Sequence, residues 1–316
     1  MKILVTGGAG FIGSHLTLSL LKEGHEVTVI DDLSLGQEKF LNESKTLKGF
    51  KFLKNDLLNF EAILEACRRV DQVWHMAANS DIAAGGKKTD VDLKIGTIAT
   101  YNVLEAARVQ GVKEFIFAST SAIYGETTVK PTPENYGPLL PISFYGASKL
   151  ACEALATAFA HNYGMKIWIF RFANIVGSHT THGAIHDFIK KLKLNPEELE
   201  ILGNGKQSKS YLHVNDCVKG MMFGLKNSNE PVNLFNLSGE GSCSVDQIAT
   251  SVISKVNPKA RKKFTGGDRG WPGDVAQVLL DGSKLQKMGF KASFNSAQAV
   301  AKAVDDIIGD LETGMS

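Results

Sequence analysis

The sequence predicts an α/β fold, with a parallel sheet flanked by helices and a smaller mixed α/β region at the carboxyl terminus. Three observations predict it. Short apolar runs alternate with stretches of helical periodicity over roughly the first 175 residues. A glycine-rich turn joins the first run to the first helical stretch. Beyond that the alternation gives way to helical stretches separated by Gly/Pro-rich pieces.

Ile3-Leu4-Val5 is a short apolar run of the kind found in a buried parallel strand. Residues 11–21 then carry apolar side chains at helical spacing, with Gly24 as a stop signal. Residues 26–30 read as a second strand closing on Asp31-Asp32, and 50–53 as a third. A helix opens at 62–67, and 72–76 returns to strand. Residues 97–108 read as helix, 114–118 as strand, 150–161 as helix and 166–171 as strand. Right-handed crossovers make a parallel sheet the natural product of this order. In the second region, 185–194, 214–225 and 245–256 read as helices, and a Gly/Pro-rich piece spans 266–273. The expected division is 1–175 and 176–316, with some of the later chain returning to the first domain. Residues 310–316 read as a frayed tail.

The 316 residues are 43% apolar and 22% charged, which excludes wholesale disorder. Lys and Arg total 35 against 33 Asp and Glu, so no nucleic-acid-coating role is expected. Cys67, Cys152, Cys217 and Cys243 lie far apart and form no Cys-x-x-Cys pair, arguing against a zinc site or a disulfide scaffold. They read as small buried hydrophobes. His182, His186 and His213 make no zinc pattern, so no metal is expected, and His213 reads as satisfying a local hydrogen bond. No apolar run reaches 18 residues, and the run at the amino terminus breaks at once into glycine. No membrane partner is expected, and the chain reads as cytoplasmic.

Gly7-Gly8-Ala9-Gly10-Phe11-Ile12-Gly13 follows the first strand and opens the first helix. Gly8, Gly10 and Gly13 have the spacing used around a pyrophosphate. Absent side chains permit a sharp turn and close phosphate approach, and the helix amino terminus offers amide donors. This makes the first domain Rossmann-type and dinucleotide-binding. Asp31, 18 residues after Gly13, ends the second strand beside Asp32. Its carboxylate suits the adenosine ribose hydroxyls and repels a 2′-phosphate, favouring NAD over NADP. Asp56 after the third strand meets the adenine edge, with Leu57 on the ring, or is a solvent-facing turn residue.

Ser119-Thr120-Ser121-Ala122-Ile123-Tyr124-Gly125 follows the 114–118 strand, and ligands of such sheets collect beyond the carboxyl ends of strands. Tyr145-Gly146-Ala147-Ser148-Lys149 comes 24 residues after Ser121. On a helix, Tyr145 and Lys149 share a face. A tyrosinate base is costly near neutral pH, and nearby cations favour it. Ser121 or Thr120 then hydrogen-bonds the reacting oxygen.

With these motifs in place, the chain resembles the extended short-chain dehydrogenase/reductase family. It is most similar to the nucleotide-sugar epimerase/dehydratase group, UDP-glucose 4-epimerases in particular. His75-Met76-Ala77-Ala78, Arg171-Phe172-Ala173-Asn174 and Lys209-Ser210-Tyr211-Leu212-His213-Val214-Asn215-Asp216 add to the resemblance, which covers nearly the whole chain. It implies Tyr145 as catalytic base and acid, and Lys149 as the nicotinamide-ribose ligand that lowers the Tyr145 pKa. It implies Ser121 orienting the sugar hydroxyl with Thr120 nearby, and Asn174 near the diphosphate. Ala77, Ala78 and Ser119 would border the cofactor. It further implies tightly held NAD, a UDP-sugar substrate and a homodimer built from helices near 97–108 and 150–161. The implied chemistry is transient oxidation at C4 to a 4-keto sugar, rotation of that sugar, and reduction from the opposite face.

Departures leave the sugar open between UDP-glucose/UDP-galactose and UDP-glucuronate/UDP-galacturonate. Lys209 stands where the family often has Arg, and it lacks the guanidinium fork. Trp271 stands at the expected phosphate-binding Arg. Arg269 either supplies that charge or is simply exposed beside a buried Trp271. Leu93 replaces the Asn often found before Gly-Thr. Gly85-Gly86-Lys87-Lys88 reads as a mobile basic loop that touches phosphate or a uronate, or is a solvated turn. A dehydratase is disfavoured because Ser121-Ala122 occupies the positions of its usual Asp-Glu pair. A decarboxylase and a noncatalytic NAD-binding regulatory protein are the remaining alternatives.

Overall fold

The computed structural model describes residues 1–268 and 275–315. In chain order the regular elements begin β1 (Lys2–Thr6), α1 (Phe11–Lys22), β2 (Glu26–Asp31), α2 (Asn42–Lys45), β3 (Phe50–Lys54), α3 (Phe60–Ala66), β4 (Gln72–His75) and α4 (Ile82–Lys87). A π-helical turn, Asp92–Ile98, leads into α5 (Ala99–Val109), then β5 (Glu114–Thr120), a 3-10 turn (Ser121–Tyr124), α6 (Phe144–Tyr163) and β6 (Lys166–Phe172). There follow β7 (Asn174–Val176), α7 (Ala184–Leu194), β8 (Glu198–Ile201), β9 (Ser208–Lys209), β10 (Tyr211–His213), α8 (Val214–Lys226) and β11 (Val232–Leu237). The chain closes with β12 (Cys243–Ser244), α9 (Val245–Val256), β13 (Arg261–Phe264), β14 (Gln277–Val278), α10 (Ser283–Lys287) and α11 (Ser296–Thr313).

Two compact units result. The first comprises Met1–Gly125, Gly137–Arg171 and Met221–Phe235, and the second Glu126–Tyr136, Phe172–Gly220 and the chain from Asn236 onward. Among the described residues, seven strands form one sheet in the order β11-β6-β5-β4-β1-β2-β3. The β1–β2, β2–β3, β1–β4 and β4–β5 pairings are all parallel. The order reverses direction at β1, which has β2 on one side and β4 on the other. In doubly wound sheets ligands bind at such a switch point. The strands there are apolar on both faces: Ile3, Leu4 and Val5 are buried, as are Val73 and Trp74. At the β3 edge, Phe50, Phe52 and Leu53 are only half-buried, while Lys51 and Lys54 are exposed.

The first unit's core joins the sheet (Leu4, Ile30, Val73, Phe115, Phe117, Ile167) to the inner faces of α5 (Val103, Leu104, Ala107) and α6 (Cys152, Ala156, Phe159). The second has its own core of Ile189, Leu199, Ile248, Val252, Val300, Val304 and neighbours. All four cysteines are free and buried. His213 has the local hydrogen bond expected of it, its Nδ1 accepting from the Asn215 amide at 3.3 Å, and its Nε2 also lies 2.8 Å from Oδ2 of the distant Asp306.

Four sequence expectations are corrected. The helix expected from residue 150 begins at Phe144, because Ser143 caps it by accepting from the Gly146 amide at 3.1 Å. The helix expected over 97–108 is preceded by the π-helical turn. The glycines of the expected basic loop lie in α4. The tail from residue 310 is helical through Thr313 and ends at Gly314 in the left-handed region. Two features carry α11: a capping box between Asn295 and Gln298, and an inner face of Ala299, Val300, Ala303, Val304 and Ile307. That face is rich in alanine, so its hydrophobic signal is weak.

His75, at the end of β4, is fully enclosed. Its Nδ1 lies 2.6 Å from Thr6 Oγ1 and its Nε2 2.9 Å from Thr100 Oγ1, and its ring stacks on Phe117. Burial, with help from the Lys149 cation, pushes its pKa down to about 3. The unfolded chain therefore binds a proton that the folded chain refuses once pH falls below about 6.5. Stability from this group is fully present above that pH and declines toward pH 3. Urea unfolding at pH 7 and pH 5 should show wild type losing about 2 kcal/mol more than His75→Gln over that interval. Equal losses would mean that His75 accepts a proton in the folded state.

Candidate active site

The loop after β1 is shaped by backbone contacts that leave no room for side chains. Gly7 has φ +68°, and a Cβ there would lie 2.6 Å from the Ala77 backbone. A Cβ on Gly13 would sit 2.1 Å from the Gly7 carbonyl oxygen. Gly10 N-caps α1 without any side-chain hydrogen bond, so the amides of the first turn at Phe11 and Ile12 receive no capping acceptor. At Gly10 a Cβ would meet only the Gly7 carbonyl, at 3.2 Å. An uncapped helix start beside a side-chain-free turn fits a diphosphate.

Asp31 closes this loop. Its Oδ2 accepts from the Ala9 amide at 3.0 Å and its Oδ1 from the Leu33 amide at 2.9 Å. Burial raises its pKa, the two amides pull it back, and Asp32 adds to the rise. Each carboxylate oxygen retains a further acceptor position, as ribose hydroxyls require. Asp32 is exposed and turns its carboxylate back onto the Ser34 amide and hydroxyl. Asp56 is exposed and accepts from the Leu58 amide, while Leu57 belongs to the core cluster. Ala77 and Ala78 follow β4 and are half-buried. The residues of the first unit present fit a dinucleotide with an unmodified ribose.

The candidate reacting groups stand at the end of β5. Thr120 accepts from the Ala122 amide at 3.1 Å, which starts the 3-10 turn, and its side chain pulls the pKa of the Tyr145 phenol down. Ser121, expected to orient the sugar hydroxyl with Thr120 nearby, is half-buried and opens the 3-10 turn directly after Thr120. Tyr145 lies in the first turn of α6, where Gly146 allows the helix to approach the Ala122 carbonyl; a Cβ would be 2.7 Å from that oxygen. Lys149, one turn on, is 4% exposed. Its Nζ donates to the Ala118 carbonyl at 2.6 Å and lies 4.6 Å from the Phe117 ring centroid and 6.0 Å from that of Tyr145. Burial pushes the Tyr145 pKa up to about 12, against the pull of Thr120. Burial brings Lys149 down to about 8, with Cys152, Glu153 and Asp92 opposing.

Several residues of this site were missed from sequence. Leu93, at the position of the family's Asn, is 54% exposed. The π-helical turn instead buries Asp92, which accepts from Asn79 Nδ2 at 3.1 Å. Ser148, between Tyr145 and Lys149, donates to the Asp92 carbonyl at 2.7 Å and lies 2.9 Å from Thr97 Oγ1. A Cβ on Gly96 would fall 2.2 Å from the Ser148 hydroxyl, so Gly96-Thr97 is the sequence signal for this seat. Ser119 donates its hydroxyl to Glu153.

In the second unit, Asn174 opens β7 and pairs with Tyr211 of β10. Its amide donates to the Ser210 carbonyl at 3.1 Å, and Lys209 directly precedes that residue. Asn174 and Lys209 are therefore neighbours, both half-buried. Arg269 and Trp271 lie outside the described residues.

Residues 3–238 match the model of the NAD dependent epimerase/dehydratase family. An uncharacterized UDP-glucose epimerase of Bacillus subtilis is 35% identical over 286 residues, covering 87% of this chain and 88% of its own. A crystal structure of a UDP-galactose 4-epimerase is similar at 36% identity with TM-score 0.89, over 98% of this chain and all of that one. A UDP-glucuronic acid 4-epimerase from Bacillus cereus, solved with UDP-glucuronic acid and NAD, is similar at 28% identity and TM-score 0.86, over 98% and 99% of the two chains.

Gly13→Ala should leave the sheet folded and weaken dinucleotide binding about tenfold or more, because the new methyl must displace the Gly7 carbonyl. Cofactor released from denatured protein, measured by absorbance, checks this. Undiminished content would exclude this loop as the cradle.

Proposed function

The chain belongs to the NAD dependent epimerase/dehydratase family, and we propose that it interconverts the C4 epimers of a UDP-sugar, UDP-glucose and UDP-galactose. It is an enzyme of the nucleotide-sugar epimerase group, and its cofactor is NAD. The observation that carries the assignment is the pairing of Tyr145 with a buried Lys149 one turn along the same helix, packed against the carboxyl end of β5, where Lys149 Nζ donates to the Ala118 carbonyl.

Glycines 7, 10 and 13 and the first turn of α1 hold the pyrophosphate, and Asp31 takes the adenosine ribose. NAD, when bound, supplies reversible two-electron chemistry and, in its oxidised form, a positive charge. Tyr145 Oη receives the proton of the sugar C4 hydroxyl and later returns it. Thr120 fixes the direction of that hydroxyl bond, and Lys149 Nζ holds the second ribose. Lys149 is buried with its Nζ against the Phe117 ring, which keeps water from that ammonium. In the second unit, Asn174 and Lys209 take the nucleotide diphosphate, with Arg269 proposed from the sequence as a further source of positive charge.

A second reading, UDP-glucuronate and UDP-galacturonate, draws on the likeness to the Bacillus cereus enzyme and on the exposed Lys87 and Lys88 at the end of α4. We also propose a homodimer through α5 and α6, whose outer faces leave Tyr101, Val109 and Tyr163 exposed.

Incubating the purified protein with UDP-glucose, UDP-galactose, UDP-glucuronate or UDP-N-acetylglucosamine, without added NAD, distinguishes the readings. We expect the UDP-glucose/UDP-galactose pair to interconvert at constant total nucleotide sugar. Interconversion of the uronates alone would establish the second reading. Tyr145→Phe should keep its NAD and lose turnover roughly a hundredfold or more. Full turnover in that variant would remove Tyr145 from the chemistry. Tyr101→Glu should shift the protein to monomer in sedimentation. An unchanged dimer would exclude this helical face.

A further inference from the structure

Tyr145, Lys149 and Glu153 recur every fourth residue along α6, so all three lie on one face. The reaction uses the first two. Glu153 is 6% exposed and faces Arg171, 4% exposed, at the end of β6. Arg171 Nη2 donates to Glu153 Oε2 at 2.7 Å, and Nε donates to Oε1 at 3.0 Å, the fork geometry of a paired guanidinium and carboxylate. Two further bonds extend the pair. Ser119 Oγ donates to Glu153 Oε1 at 2.5 Å, and Arg171 Nη1 donates to the Tyr124 hydroxyl at 2.9 Å. The Arg171 guanidinium also lies 4.9 Å from the Tyr124 ring centroid.

These contacts bracket the reacting turn. Ser119 immediately precedes Thr120, and Tyr124 ends the 3-10 turn that Thr120 caps. Glu153 is anchored in the helix that carries Tyr145 and Lys149. A buried ion pair contributes little net stability compared with apolar side chains of similar volume. Its directed bonds do fix where two elements sit relative to each other.

We propose that Glu153 and Arg171 are positioning residues for the proton-transfer site: through Ser119 and Tyr124 they hold the turn bearing Thr120 in register with the helix bearing Tyr145. The inference rests on the reading of Tyr145 as the proton-transfer group. The pair touches neither reacting atoms nor cofactor. It acts through the turn that Thr120 caps, which packs against α6 where Gly146 meets the Ala122 carbonyl, so the place of Thr120 relative to Tyr145 depends on where the turn lies.

The deciding variant is Glu153→Met combined with Arg171→Met, which removes both charges together and leaves neither one stranded. Its melting temperature and NAD content should stay near wild type. Its kcat should fall about tenfold or more, with KM changed less than about threefold, since small displacements in a reacting geometry are amplified in the rate. Amide hydrogen exchange over residues 119–125 should accelerate while the rest of the sheet stays protected. Ser119→Ala, which leaves the ion pair intact, should produce a smaller change of the same kind and decides the matter if the double variant does not fold. A folded, NAD-loaded double variant with wild-type kcat and unchanged exchange in the turn would overturn the proposal. So would a loss of kcat that only tracks loss of folded protein. If the wild-type protein turns over none of the UDP-sugars, the substrate reading has failed, and exchange over 119–125 still decides whether the pair positions the turn.

Discussion

Backbone packed directly on backbone sets the terms for the rest of the structure. The loop after β1 passes the end of β4 so closely that Gly7 has no space for a methyl, and the first turn of α1 is pressed onto the same loop at Gly13. With side chains excluded there, the amides at the start of α1 are left without a capping group. Asp31 ties the loop to the end of β2. Every other part of the dinucleotide site inherits its position from this contact. The parallel order around β1 brings the strand ends together so that the contact can form.

The residues proposed to react obey a different constraint, the cost of burying polar groups. Around Lys149 lie His75, Asp92, Ser148 and Glu153, all substantially buried, and each has at least one defined hydrogen-bond partner. Such a cluster is costly to assemble, and its bonds restrict each group to one orientation. His75 is held neutral next to a buried cation, which keeps positive charge from accumulating behind the site. Tyr145 and Lys149 are pushed in opposite directions by the same burial, Tyr145 up and Lys149 down. Both shifts disfavour the charged forms, so added positive charge near the phenol is what brings a tyrosinate within reach.

Much of this was legible from sequence because glycine spacing and the Tyr145/Lys149 interval encode close approach and helix periodicity directly. The central strands β1, β4 and β5 were legible because they are buried on both faces and read as continuous apolar runs, whereas β11, which joins the sheet from the later chain, was not read from the sequence. What was hidden depends on contacts distant in the chain or on irregular backbone. Thr120 and Ser121 are chemically alike neighbours, and only the turn decides that Thr120 caps it while Ser121 becomes its first residue. Leu93 and Asp92 exchange inside and outside because a π-helical turn shifts the register, which no regular period reveals. Glu153 and Arg171 are 18 residues apart and look like ordinary surface charges until β6 and α6 are packed. The last helix escaped because alanine forms much of its inner face.

The edge strand β3 bears on association. Among the described residues no strand pairs with its outer edge, where backbone donors and acceptors can meet a passing strand and its half-buried phenylalanines would reward such an encounter. Lys51 and Lys54 stand exposed on that same edge, so a second copy approaching edge to edge meets like charge and must strip two strongly hydrated ammonium groups. The sheet can thus end in open backbone without becoming adhesive. Self-association is steered away from strand exchange, toward surfaces where side chains rather than backbone make the contact.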